Sequence, residues 1–166
     1  MTIVIYGKPM TWARARVNKR GKFFTPADRE ARMAEFTYFW RAAGHERIEK
    51  PTGIAVIAEF VFDRPDEQFG TGRNLGVLKE RYRYARPGRG KNGGDIDNLI
   101  KLPMDALSHV AYSDDSQIAE LHVAKRYVDV EANEKPYSKL TLLALDAPVA
   151  LPEPVAEPAQ LALEAA

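Results

Sequence analysis

Asp95 and Asp97 stand one residue apart, Lys101 follows four residues later, and a second acidic pair, Asp114-Asp115, comes after a short apolar segment. Those residue types suit one chemistry. Hard divalent cations take oxygen ligands, and a protein that holds Mg2+ through one or two carboxylates leaves other positions to water and substrate phosphate. Such a centre hydrolyses phosphodiesters, and Mn2+ is expected to substitute for Mg2+. If Asp95 and Asp97 end an extended segment, their side chains point to one face and can approach one ion together. Asp115, arriving at the start of a later strand, would complete the cage, with Asp114 as the secondary member of its pair. Lys101, on the first turn of a helix that the motif opens, would stabilise charge on the leaving oxygen. The helix N-terminus itself favours phosphate.

Each of these residues also has a plainer role. Asp97 or Asn98 can cap the helix, and Asp114-Asp115 can form an Asx turn. Asp105, four residues after Lys101, suits an intrahelical pair. Trp12 and Phe23-Phe24 can stack on bases, or simply anchor a basic loop to the core. His45, His109 and His122 lie far apart and show no ligand spacing. There is no cysteine, which excludes disulfides and thiolate zinc sites. The motif argues through its combination.

The elements around it follow from the rest of the chain. Its 166 residues, 45% hydrophobic and 28% charged, fit one globular domain. No basic region followed by a long apolar core opens the chain, and no apolar run reaches the roughly 20 residues of a membrane span. A soluble cytoplasmic protein is the expectation. The net charge of +1 hides an asymmetry, because Glu153, Glu157 and Glu164 lie in residues 147–166 with no base. Lys8, Arg14, Arg16, Lys19, Arg20, Lys22, Arg29 and Arg32 crowd one early segment. Arg64, Arg73, Lys79, Arg81, Arg83, Arg86, Arg89 and Lys91 crowd a second, just before the acidic motif. Such clusters suit nucleic-acid phosphates, although a basic run is also an ordinary solvated surface.

Thr2–Tyr6 reads as a strand, and the segment from Lys8 to Pro26 as a basic loop. Thr25-Pro26 offers a cap followed by proline at the first helical position, opening a helix from Ala27 to about His45 with Gly44 as its stop. Ile54–Phe62 alternates with apolar residues on both faces, which places it centrally in a sheet. Residues 63–94 form a long polar stretch in which Asn74–Tyr84 suits a short helix. Leu99, Leu102, Ala106 and Leu107 give the motif helix its apolar stripe, and Pro103 is an awkward guest within it. Gln117–Val128 reads as a strand with Ala119, Leu121 and Val123 inward, and Leu140–Leu145 as another. Residues 147–166, rich in alanine, proline and glutamate, read as a flexible tail. The fold class is α+β: a mixed sheet packed with helices, in the order β-α-β-α-β-β.

The series Asp95-Ile96-Asp97-Asn98-Leu99-Ile100-Lys101, then Asp105-Ala106-Leu107, then Asp114-Asp115-Ser116-Gln117-Ile118, resembles the RusA family of Holliday junction resolvases. Gly7-Lys8-Pro9, Arg14-Ala15-Arg16, Phe24-Thr25-Pro26 and Lys125-Arg126-Tyr127 resemble phage-type members. The resemblance covers roughly residues 2–145. It implies a magnesium-dependent homodimer, often prophage-encoded, that cuts paired nicks across four-way DNA junctions in recombination and repair. By position, Asp95, Asp97 and Asp115 would be the metal-binding carboxylates and Lys101 the catalytic lysine. Residues 1–146 would be the endonuclease domain, with 63–94 a basic insertion longer than in compact members. The DNA contacts expected are Lys8, Arg14, Arg16, Lys19, Arg20 and Lys22, with Arg81, Arg83, Arg86, Arg89 and Lys91. A bacterial or phage-infected cytoplasm is the implied setting. A catalytically silent junction-binding protein, or a metal-dependent phosphotransferase or nucleotide hydrolase, are the alternatives.

Overall fold

The structure, a computed structural model, describes residues 1–12, 16–17, 21, 23–24, 26–88 and 93–145. Strand β1 (Thr2–Tyr6) is followed by two short strands, β2 (Arg16–Val17) and β3 (Phe23–Phe24), which pair with each other antiparallel. The basic segment is therefore not all loop. Helix α1 (Ala27–Ala42) leads to β4 (Gly53–Phe62), helix α2 (Ile96–Leu107), and the last strands β5 (Ile118–Tyr127) and β6 (Tyr137–Leu145). Four strands form one sheet in the order β1-β6-β4-β5. Only β4 and β5 are parallel, so the sheet is mixed, as expected. The Ala/Pro/Glu-rich segment 147–166 lies outside the described residues. Among the described residues, no helix is long and apolar enough to cross a membrane.

β4 occupies an interior position because one of its faces is apolar throughout. Ile54, Val56, Ala58, Phe60 and Phe62 are all buried and pack with Phe36 and Trp40 of α1 and with Leu99, Leu102 and Leu107 of α2. Burying a side chain of that size is worth about 1.5–3 kcal/mol, so this face fixes the register. Both helices lie on it. The opposite face is only partly apolar: Ala55 and Val61 are buried, but Ile57 is exposed and Glu59 pairs with Arg126.

Several boundaries differ from the sequence reading for local reasons. Pro26 occupies the cap position of α1 without a side-chain bond, so the helix begins one residue later than a Thr25 cap implies. Gly44 does end it, with a left-handed φ of +68°. Residues 74–84 form no α-helix, and Glu80–Tyr82 alone makes a single 3-10 turn within that expected short helix. Three single turns, Asp66–Gln68, Gly72–Asn74 and Glu80–Tyr82, surround a small hairpin closed by the Phe69–Leu78 bridge. Ala119 is exposed rather than inward, because a register shift falls between Ile54 and Ala55 opposite it. Leu121 and Val123 share a face with Val56 and Ala58, yet β5 is an edge strand and Leu121 stays exposed.

Candidate active site

The acidic motif opens α2, but not as a strand would. Asp95 itself is the cap residue, with extended backbone and no side-chain cap bond, and its carbonyl accepts the Leu99 N–H at 3.0 Å. Asp97 sits inside the first turn, so neither Asp97 nor Asn98 is the cap, and the alternation of an extended chain does not apply to the pair. Two carboxylates are thus placed at the positive end of the helix dipole, which favours them. Lys101 lies in the second turn rather than the first. Asp97, Lys101 and Asp105 recur at four-residue spacing and are all exposed, forming one charged stripe along α2.

The N-terminal segment and β5 hold this helix end in place. Trp12 donates its backbone N–H to the Asn98 carbonyl at 2.6 Å. The Lys101 ammonium stands over the Trp12 ring, 4.0 Å from its centroid, and not against Asp105. Trp12 also packs against the core, so it anchors its loop as well as holding the lysine. Gly94 is buried, and a Cβ there would meet the Thr11 methyl at 2.3 Å, so this approach needs glycine. Lys125 Nζ donates to the Gly94 carbonyl at 2.6 Å, which brings a second ammonium beside the motif. Because β4 and β5 are parallel, α2 begins at their carboxyl ends, the usual place for ligands in α/β packing.

Asp115 is at the other end of α2. The Tyr112 hydroxyl donates to the Met104 carbonyl at 2.8 Å, and the Asp115 carboxylate lies near that hydroxyl. Burial first, then the Asp115 charge, pushes the Tyr112 hydroxyl above its ordinary pKa. Along the helix axis Met104 lies about 14 Å from Asp95. Within one chain the structure does not bring Asp115 to Asp95 and Asp97. Among the described residues, no three His, Cys, Asp or Glu side chains form a group that could hold a metal ion. The donor chemistry suits a hard cation; one chain supplies it in two separate places.

Asp114 is occupied structurally. Its side chain accepts the Ser116 N–H at 2.9 Å, while Gln117 Oε1 accepts the Asp114 N–H at 3.0 Å, a reciprocal capping box. Gln117 is buried and ties the turn to Ile48 and Thr52. The Ser116 bonds, with Lys50 at 3.3 Å, hold the Asp114 carboxyl down at about 2. A depressed carboxyl stabilises the fold above its unfolded pKa, near 3.8, and that help is lost as pH falls towards 2. The melting temperature of the wild type should therefore fall more steeply than that of Asp114→Asn between pH 4 and 2. Parallel slopes in thermal melts would remove Asp114 from this role.

The basic candidates divide. Lys8 is exposed, and its carbonyl accepts from Arg32 at 3.2 Å. Arg81 stacks 4.8 Å over Tyr82, Arg83 pairs with Glu80 at 3.5 Å, and Arg86 is exposed. Arg16 belongs to β2 by its backbone. Arg14, Lys19, Arg20, Lys22, Arg89 and Lys91 lie outside the described residues.

Sequence reasoning gave no site role to Lys125 or Tyr112. Lys125 had a signal: it shares strand parity with Leu121, Val123 and Tyr127, and a lysine on a helix-covered face needs a reason. Tyr112 had none, because its role depends on where the loop after α2 folds back.

Two comparisons bear on this arrangement. A stretch of 33 residues is 52% identical to the uncharacterized protein YqaN of Bacillus subtilis (strain 168), covering 20% of this chain and 23% of that protein. The match spans less than a quarter of that relative's length, so it carries likeness and no more. Residues 6–133 match the family Endodeoxyribonuclease RusA, a span that runs from the last residue of β1 through both helices, the acidic motif and β5. That span covers well over half of the chain, and the chain belongs to the RusA endodeoxyribonuclease family.

Proposed function

We propose that this protein is a divalent-metal-dependent endonuclease that resolves four-way DNA junctions as a homodimer, each active centre being shared between two copies. The observation that carries this reading is that Asp95 and Asp97 stand at the start of α2 while Asp115 lies in the turn by its other end. Two copies meeting along α2 in opposite directions would put the Asp95–Asp97 end of one beside Asp115 of the partner subunit. The edge strand β5, with Leu121 exposed on it, supplies an apolar margin for that contact. A two-fold dimer also matches a substrate with two equivalent strands to cut.

Asp95 and Asp97, with Asp115 of the partner subunit, would hold Mg2+ or Mn2+, which when bound polarises the phosphoryl oxygen and supplies an ionised water. Lys101 would place its ammonium near the leaving oxygen, steadied over Trp12. The N-terminus of α2 would receive the scissile phosphate, and Lys8, Arg81, Arg83 and Arg86 would grip the arms through their phosphates.

The test is a synthetic four-way junction with labelled strands. Paired nicks near the branch point are expected with Mg2+ or Mn2+, none with a chelator, and none on the matching linear duplex. Junction binding without cutting in either metal would favour a silent binding protein. Cutting of free nucleotides but not of junctions would favour a nucleotide hydrolase.

A further inference from the structure

Residues 63–88, which follow β4, form a lobe with an unusual tip. Arg64 anchors its base by donating to the Val128 carbonyl, Gln68 Oε1 and the Tyr82 and Arg83 carbonyls at 2.9–3.4 Å, while stacking 5.3 Å over Tyr127. Above that base the hairpin is closed by Gly70 N–H to the Val77 carbonyl at 2.8 Å and Lys79 N–H to the Gln68 carbonyl at 2.9 Å. Gly72 and Gly76 take positive φ values of +60° and +79°, and a Cβ on Gly70 would collide with the Asn74 carbonyl. The turn is built, and it presents Leu75 and Val77 to solvent, 79% and 59% exposed.

Apolar side chains held rigidly outward do not serve this chain's own core. Their surroundings narrow the occupant. Arg73, exposed, and Lys79, half-buried with its ammonium donating to the Glu67 carbonyl at 2.9 Å, flank them, and residues 71–79 contain no carboxylate. That pattern, an apolar point with a cationic rim, complements a base stack bordered by phosphates, and nucleic-acid-binding proteins insert such wedges between bases. Behind the tip, Val77 and Tyr84 line a cleft of about 550 Å³ whose far wall includes Asp129 and Glu131. Arg64 and Arg83 line the same cleft, so its charge is mixed, and it is the exposed apolar side chains of the tip that match bases rather than phosphate. The other root of the lobe lies at the acidic motif, where the Gly94 N–H donates to the Gly88 carbonyl at 2.9 Å. A wedge on this lobe is therefore tethered beside Asp95.

We infer that the hairpin tip bearing Leu75 and Val77 enters the branch point of a DNA junction and unstacks its bases, with Arg73 and Lys79 on the bordering phosphates. This rests on the reading that branched DNA is the substrate, and it adds how the branch is recognised. A four-way junction exposes base-pair faces at its centre that a continuous duplex does not, so a wedge gives structure selectivity without sequence readout.

The test places 2-aminopurine either at the branch point or within an arm of a four-way junction, and records emission on binding in Ca2+. Wild type should raise the branch-point signal severalfold and leave the arm signal unchanged. Leu75→Ser/Val77→Ser should lose that rise and bind about tenfold more weakly, with the wild-type melting temperature and oligomeric state. If the double variant melts early, Leu75→Ser alone decides, since its exposed side chain contributes no core contact. An unchanged branch-point rise in a stably folded variant overturns the wedge while leaving junction binding intact. A changed oligomeric state in solution makes the tip a contact between copies and also overturns it. Failure of the wild type to bind junctions at all would instead overturn the substrate reading.

Discussion

Asp97→Asn should abolish junction cutting while leaving junction binding intact or tighter. Asp97 is exposed on the first turn of α2 and makes no side-chain cap bond, so the amide can replace the carboxylate without disturbing the fold. The structural cost is confined to the interaction with the helix dipole, roughly 0.3–1 kcal/mol. The catalytic cost is of another order. Loss of an outer partner of a metal ligand lowers affinity or activity about 10–100-fold, and loss of a ligand itself should exceed that range. Binding should move the other way, because one negative charge beside the incoming phosphate is gone. Single-turnover cleavage in Mg2+, with gel-shift titration in a chelator, separates the two effects. Full cutting by this variant would remove Asp97 from the centre.

Much of the architecture could be read from periodicity. The alternating apolar residues of β4 require burial of one face, and that requirement places the strand inside the sheet. The stop at Gly44 follows equally directly from a left-handed backbone that glycine adopts without strain. Features that depend on distant contacts were not legible. Residues 74–84 have helix-forming composition, yet Arg64 and Gln68 draw this segment into a hairpin lobe through bonds across the loop. Pro103 is awkward by its local chemistry, yet the helix runs from Ile96 to Leu107 with Pro103 buried inside it. Tertiary burial outweighs the local penalty there.

The candidate site was legible in kind and not in arrangement. Spacing alone places Asp95, Asp97 and Lys101 at one helix start, since they are consecutive in a single element. Asp115 is different. Its position depends on the path of residues 108–114, which Tyr112 and Gln117 fix through bonds to Met104, Ile48 and Thr52. No residue type announces that path. The sequence therefore suggested one cage, whereas among the described residues of one chain these carboxylates form no group of three that could hold a metal ion.

That difference gives the account its most direct test. Asp97→Asn and Asp115→Asn, each purified as homodimers, should both fail to cut. Mixed dimers carrying one copy of each should regain activity. If the centre is shared, one site of the mixed dimer combines both substitutions and the other combines Asp95 and Asp97 of one copy with Asp115 of the other, fully intact. The dimers should therefore introduce single rather than paired nicks, at about half the wild-type rate per dimer, since one of two equivalent centres is whole. Co-expression with two different tags, followed by sequential purification, isolates the mixed species, and denaturing gels of a labelled junction count the nicks. Restored single nicking is the predicted result. Mixed dimers as inactive as their parents, or a protein that cuts junctions as a monomer, would contradict a centre shared between copies.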